Sequence, residues 1–199
     1  IEAVSALAHA AGAKVIVDNV FATPLFQSPL ALGADIVTYS TTKHIDGHGR
    51  LLGGAVLGKT AFIKEVFLPF YRQTGAAMSA FNAWVMLKSL ETLALRVEMQ
   101  TRTATQLSEN IKHHPAVLSL SYPGDRSHPQ HELATRQMSG SSTLIAFELK
   151  GGRTGAFQFL NALGVIDISN NLGDTKTLAC HPSSTTHMNL SEDERQMLE

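Results

Sequence analysis

A single cysteine, Cys180, leaves no internal disulfide framework to draw, and a lone thiol suits a reducing, cytoplasmic compartment. Long apolar runs are also missing, since none approaches the ~20 residues that span a bilayer. Neither charge sign is in excess: 16 basic residues face 17 acidic ones. Nothing therefore recommends nucleic acid or an anionic membrane as a partner. Repeats and low-complexity linkers are absent. The chain opens within an amphipathic helix at Ile1-Glu2-Ala3-Val4, without a signal-peptide pattern, and Glu192 to Glu199 stop partway through another helical pattern, so both ends read as cut. What is present is a globular composition, 44% apolar against 17% charged. The length suffices for one large domain or two small ones.

Val4, Leu7, Ala8 and Ala11 share one helical face, and Gly12 is a plausible stop. Lys14 to Val17 is a short β-branched run that ends at Asp18-Asn19. A second run, Asp35 to Tyr39, ends at Ser40-Thr41-Thr42-Lys43. Runs without alternation suit strands buried on both faces, as in a parallel sheet, and the Pro24–Pro29 segment between them is long enough for a crossover. Further on, a helix is expected over Thr60 to Val66. Ser79 can cap a long helix striped by Met86, Leu90, Leu93, Val97, Ala104, Leu107 and Ile111. Its length predicts either an interdomain spine or a break near Thr101 to Thr105, with a domain boundary near Lys88. A second α/β unit follows, with strands over Val117–Tyr122, Thr143–Leu149 and Val165–Ile168, and helices over Pro129–Met138 and Thr154–Leu163.

In open α/β sheets ligands gather beyond the carboxyl ends of the strands. Those ends here deliver Asp18 from one strand and a hydroxyl-hydroxyl-lysine group from the next. A lysine amine forms a Schiff base once it is not an ordinary solvated ammonium. Ser40, Thr41 and Thr42 offer hydroxyls to a phosphate, and Asp18 can hold a cationic ring nitrogen. Lysine, aspartate and phosphate-binding hydroxyls make up a pyridoxal-phosphate site. Taken singly, Asp18 and Ser40 read as strand-end caps and Lys43 as a surface lysine; the set points elsewhere.

Other patterns compete. Gly53-Gly54-Ala55-Val56-Leu57-Gly58-Lys59-Thr60 satisfies the nucleotide P-loop spacing. A P-loop follows a strand, however, and Ala55-Val56-Leu57 look like the strand itself. His44 with His48, and His128 with His131, have spacings that can serve a metal, but no carboxylate or cysteine cluster accompanies them, and none is expected. Cys180 beside His181 reads as a buried structural thiol rather than a dyad.

The segments Val15 to Asn19, Phe21 to Pro24, Leu32 to Asp35, Ser40 to Lys43 and Gly53-Gly54-Ala55 together resemble the Cys/Met-metabolism pyridoxal-phosphate enzymes across the whole chain. Within that family, Lys43 to Arg50, Ser79 to Trp84, Leu87 to Leu93, His128 to His131 and Asn170 to Lys176 look most like the O-succinylhomoserine sulfhydrylase branch. The alternatives are cystathionine γ-synthase, O-acetylhomoserine sulfhydrylase and methionine γ-lyase. Asn171 falls where the lyases carry a carboxylate-contacting serine, a departure that weakens a lyase assignment. The resemblance implies an α/β chain of the fold-type-I transferase kind. Residues 1–88 would form the rear half of the large parallel-sheet domain, and 89–199 most of a smaller C-terminal α/β domain.

By the same resemblance, pyridoxal 5'-phosphate is the cofactor, joined to Lys43, with Asp18 on the ring nitrogen and Ser40 and Thr42 on the phosphate. Asn171 would contact substrate. An O-acylated homoserine would exchange its γ-acyloxy group for sulfide and give homocysteine. A homotetramer built as a dimer of dimers is implied, and no metal. The family's ring-stacking tyrosine and the neighbouring subunit's tyrosine and arginine would lie upstream of this chain, and its carboxylate-binding arginine downstream. Turnover by the isolated piece is therefore not expected.

Overall fold

The computed structural model describes residues 1–197. Helix α1 (Glu2–Ala10) leads into strand β1 (Ile16–Asp18), and the short helix α2 (Thr23–Phe26) leads towards β2 (Ile36–Ser40). β1 and β2 are parallel, with Ile16 opposite Ile36 and Asp18 opposite Thr38. β3 (Gly54–Gly58) lies antiparallel on the other side of β2, giving the order β1-β2-β3. The stretch with P-loop spacing is a strand, as its Ala55-Val56-Leu57 run implies, and the sheet is mixed because β3 runs antiparallel. A third strand can reverse without any change in its own residues, because direction is set by the connection and not by the apolar run.

Burial on both faces does not hold either. β2 buries Val37 and Tyr39 on one face, while Ile36, Thr38 and Ser40 are half-buried, and Ile16 of β1 is exposed. The face of α1 that carries Val4 and Leu7 is exposed as well, and the helix instead buries Ser5 against Gly33. The best-packed apolar cluster joins Val37 and Tyr39 of β2 to Ile45, with Ala55 of β3 and Met86 against it.

After β3 a helical run covers α3 (Thr60–Phe62), a π-type turn (Ile63–Phe67) and α4 (Leu68–Thr74), extending well beyond the expected Val66. Ser79 then caps α5 (Ala80–Leu90) by accepting from Asn82 N at 3.2 Å. The long helix breaks at Glu91-Thr92, and α6 (Leu93–Ile111) runs without interruption through Thr101 to Thr105. Of the two expectations, a break near Thr101 to Thr105 lies about ten residues from the actual one, which carries no glycine or proline. Arg96 of α6 bonds this bend and also reaches the turn after β2, as described below. Strand β4 (Val117–Ser121) pairs antiparallel with β5 (Ala146–Leu149), flanked by α7 (His131–Gln137) and α8 (Gly152–Asn161). β6 (Asp167–Ile168) and β7 (Leu178–Ala179) form a short parallel pair, and α9 (Glu192–Gln196) follows. No helix among the described residues is long and apolar enough to cross a membrane.

Candidate active site

Lys43 stands three residues beyond the end of β2, in a π-type turn over Thr41–Ile45 closed by Asp46 N donating to Thr41 O at 2.9 Å. The turn departs from helical geometry at Lys43 itself, where φ is −92° and ψ −124°. Ile45 drives its side chain into the core, so the turn is pinned from beneath while Lys43 stays half-buried at the sheet's carboxyl edge. Lys43 Nζ donates to Asn171 Oδ1 at 3.0 Å, an amide and not a carboxylate. That contact fixes where the amine points.

Asp18 ends β1, in register with Thr38 of β2, so Asp18 and Lys43 occupy the same edge of the sheet. The carboxylate is exposed, and Oδ1 accepts from Val20 N at 3.0 Å, which fixes its direction and leaves the second oxygen for a ligand. Its neighbour Asn19 is buried and donates to Thr23 O and Gln27 O, both at 3.1 Å, and to Tyr39 Oη at 3.0 Å. That clamp holds the segment after β1 on β2. Ser40 is half-buried at the end of β2. Thr42 Oγ1 accepts from Gly53 N at 3.0 Å and donates back to Gly53 O across a longer 3.5 Å, so the hydroxyl is fixed beside Gly53 at the sheet's edge. Thr41 points inward and is fully buried, its Oγ1 without a partner and facing Gly53, so it is not a ligand hydroxyl of the same kind.

Around the turn lies a polar network that the sequence did not announce. Asp46 is fully buried and accepts from Arg50 N at 2.6 Å and Arg50 Nε at 3.0 Å, and Ser89 Oγ lies 3.3 Å away. Burial works against this carboxylate's charge, but the bonds from Arg50 outweigh it and hold the group below the usual carboxylate range. The Asp46–Arg50 spacing of four was the available signal. Arg96, which reaches the turn from α6, had none.

His44 is buried, its Nε2 is 2.7 Å from Thr143 Oγ1, and its Nδ1 has no partner. Burial, then the Arg96 charge, push its pKa down to about 4. His48 Nδ1 bonds Asp46 O at 2.9 Å, and no three His, Cys, Asp or Glu side chains converge on a metal site among the described residues. Cys180 is half-buried rather than buried, and His181 Nδ1 bonds Ser184 Oγ at 2.7 Å.

An amine held by a single amide contact, a directed exposed carboxylate and two hydroxyls at one sheet edge are a donor set that fits a phosphate ester carrying an aldehyde and a ring nitrogen. Asn171 comes to this edge from the loop after β6, where Gly173 (φ +75°) packs against the backbone of His44 with no room for a side chain.

The comparisons with known proteins agree in kind. The family described as Cys/Met metabolism PLP-dependent enzyme matches residues 1–199. O-succinylhomoserine sulfhydrylase of Mycobacterium tuberculosis (strain H37Rv) is 52% identical over 98% of this chain and 49% of its own length. L-methionine gamma-lyase of Porphyromonas gingivalis is 43% identical over 98% and 49% respectively. Among solved structures, a cystathionine gamma synthase from Xanthomonas oryzae pv. oryzae superposes with a TM-score of 0.94 at 34% identity, covering 98% of this chain and 51% of the other. The chain spans about half the length of the curated relatives it matches.

Proposed function

Because the chain belongs to the Cys/Met-metabolism pyridoxal-phosphate-dependent enzymes, we propose that it works through Lys43 in a γ-replacement, the O-succinylhomoserine sulfhydrylase reaction. Sulfide displaces the γ-succinyloxy group of O-succinylhomoserine, forming the Cγ–S bond and releasing succinate, with homocysteine as product. The single observation that carries the reading is Lys43 Nζ at the carboxyl edge of the sheet, held by an amide oxygen instead of an acid. The 52% identity to a sulfhydrylase, against 43% to a lyase, favours replacement over elimination.

When bound, the cofactor supplies the electron sink that lets the substrate lose protons from Cα and Cβ. The chain's own residues do the rest. Lys43 holds the cofactor and its amine takes and returns the substrate protons. Asp18 keeps a proton on the ring nitrogen, while Ser40 and Thr42 donate to the phosphate. Asn171 orients the Lys43 amine and meets the substrate carboxylate. Residues 1–88 serve as the second half of the cofactor-binding domain and 89–199 as the C-terminal domain. A cytoplasmic homotetramer acting on small molecules completes the reading.

Reduction with borohydride in the presence of pyridoxal phosphate, followed by peptide mapping, tests the site: the label is expected on Lys43 and absent in Lys43→Ala. Labelling scattered over exposed lysines would sink it. Product analysis on the full-length protein, with O-succinylhomoserine and sulfide against O-acetylhomoserine, cysteine and methionine, tests the reaction. Homocysteine formed fastest from the first pair supports it, and release of methanethiol from methionine as the main activity would transfer the chain to the γ-lyase reading.

A further inference from the structure

Arg96 projects from the first turn of α6 onto the turn that carries Lys43. Its Nη1 donates to His44 O at 2.7 Å and its Nη2 to Ile45 O at 3.1 Å. The same guanidinium reaches back to the bend between α5 and α6, with Nη2 donating to Ser89 O at 3.0 Å and Nε to Thr92 Oγ1 at 3.1 Å. One rigid fork thus ties two consecutive carbonyls just after Lys43 to the end of α5. A lysine ammonium, a compact point charge, cannot match this planar spread of donors. Gly47 makes room for it: φ is +70°, and a Cβ there would run into the guanidinium.

A second connection comes from the same helix. Gln100, one turn after Arg96, donates to Asp174 O at 2.9 Å, and Thr175 N donates to Gly47 O at 2.8 Å. Asp174 lies three residues after Asn171, the residue that bonds Lys43 Nζ. α6 therefore grips both segments that meet at the Lys43 amine, the turn through Arg96 and the Asn171 loop through Gln100.

We propose that Arg96 is a positioning residue for Lys43: it fixes the turn so that the amine stays aligned with the proton it must move. The inference rests on Lys43 being the working lysine. Proton transfer is steep in geometry, and misplacement by about 1 Å costs up to ~100-fold in rate. Substrate binding does not pass through the carbonyls of His44 and Ile45, so the loss falls on kcat rather than KM.

The test uses Arg96→Lys, which keeps the charge and the α6 stem, and Arg96→Ala with added guanidinium, in the full-length protein loaded with pyridoxal phosphate. Borohydride labelling first establishes Lys43 as the attachment site in the wild type. Expected next, with O-succinylhomoserine and sulfide, is a fall in kcat of about 10–100-fold in Arg96→Lys with KM within about twofold. Guanidinium, but not ethylammonium at equal concentration, restores part of the Arg96→Ala rate. Without substrate or cofactor, hydrogen exchange should accelerate at the amides of Asp46 and Gly47, which close the turn onto Thr41 O and Lys43 O, while the middle of α6 stays protected. Lys43 labelled in the wild type but unchanged rate and exchange in Arg96→Lys would overturn the positioning role. So would a loss of protection spread evenly over α5 and α6. Absence of the label from Lys43 in the wild type would overturn the reading beneath it.

Discussion

Lys43 Nζ and Asn171 Oδ1 lie 3.0 Å apart although their residues are separated by 128 positions. The contact joins the sheet's edge to the loop after β6, so the amine is oriented from both halves of the chain. A carboxylate in place of the amide would add a full negative charge against the amine. Asn171→Asp should therefore favour the ammonium and push attachment of pyridoxal phosphate to higher pH. The check is the pH dependence of the visible absorbance gained on mixing protein with cofactor. A midpoint unmoved from the wild type would mean that Asn171 does not govern the amine.

Gly47 and Gly12 offer a matched pair. Both have positive φ, +70° and +72°, but a Cβ at Gly47 meets Arg96 whereas one at Gly12 meets nothing within 4 Å. Gly12→Ala should lose only the conformational term, about 1 kcal/mol. Gly47→Ala should lose that and part of the Arg96 bonding, about 3 kcal/mol in all. Urea unfolding of the two variants compares them directly, and equal losses would remove Arg96 from the account.

His44 gives a pH dependence of definite sign. Its pKa falls from 6.5 when unfolded to about 4 when folded, because burial and the Arg96 charge penalise the cation. Between those values the unfolded chain binds more protons, so folding stability is full above about pH 6.5 and declines as pH falls towards 4. The loss is on the order of a few kcal/mol. Asp46, held below its usual range, adds a further decline only in more acid solution. His44→Gln keeps a polar group for Thr143 and should flatten the slope between pH 6.5 and 4; persistence of the slope would assign it to other groups.

Much of this was legible locally. Ser79 announced α5 because a serine N-cap before a helical stripe has a local meaning. Asp18 and Ser40 stand at the ends of β1 and β2, and Lys43 in the turn just beyond, because the two β-branched runs that form those strands have a local meaning. The bend at Glu91-Thr92 was not, since what holds it is the Arg96 fork onto Ser89 and Thr92 together with the carbonyls of His44 and Ile45, about fifty residues earlier. The antiparallel direction of β3 and the exposed apolar face of α1 were hidden for the same reason, as each depends on what packs where and not on the residues of the element. Residue types revealed the chemistry; the supports of the site are long-range hydrogen bonds, and those leave no local pattern.

Tyr122 carries the last prediction, on stability alone. It is fully buried beyond β4, and its hydroxyl lies 2.8 Å from Thr105 Oγ1 of α6 and 3.1 Å from Ser142 O before β5. That hydroxyl ties the β4–β5 pair to the helix that also carries Arg96. Tyr122→Phe keeps the ring's packing and removes both bonds, leaving the Ser142 carbonyl without this donor in a closed site. A loss of about 1–2 kcal/mol is expected in urea unfolding, with the labelling of Lys43 unaffected. If the variant instead lost cofactor while its stability stayed at the wild-type value, Tyr122 would be acting on the site through α6 rather than on the fold.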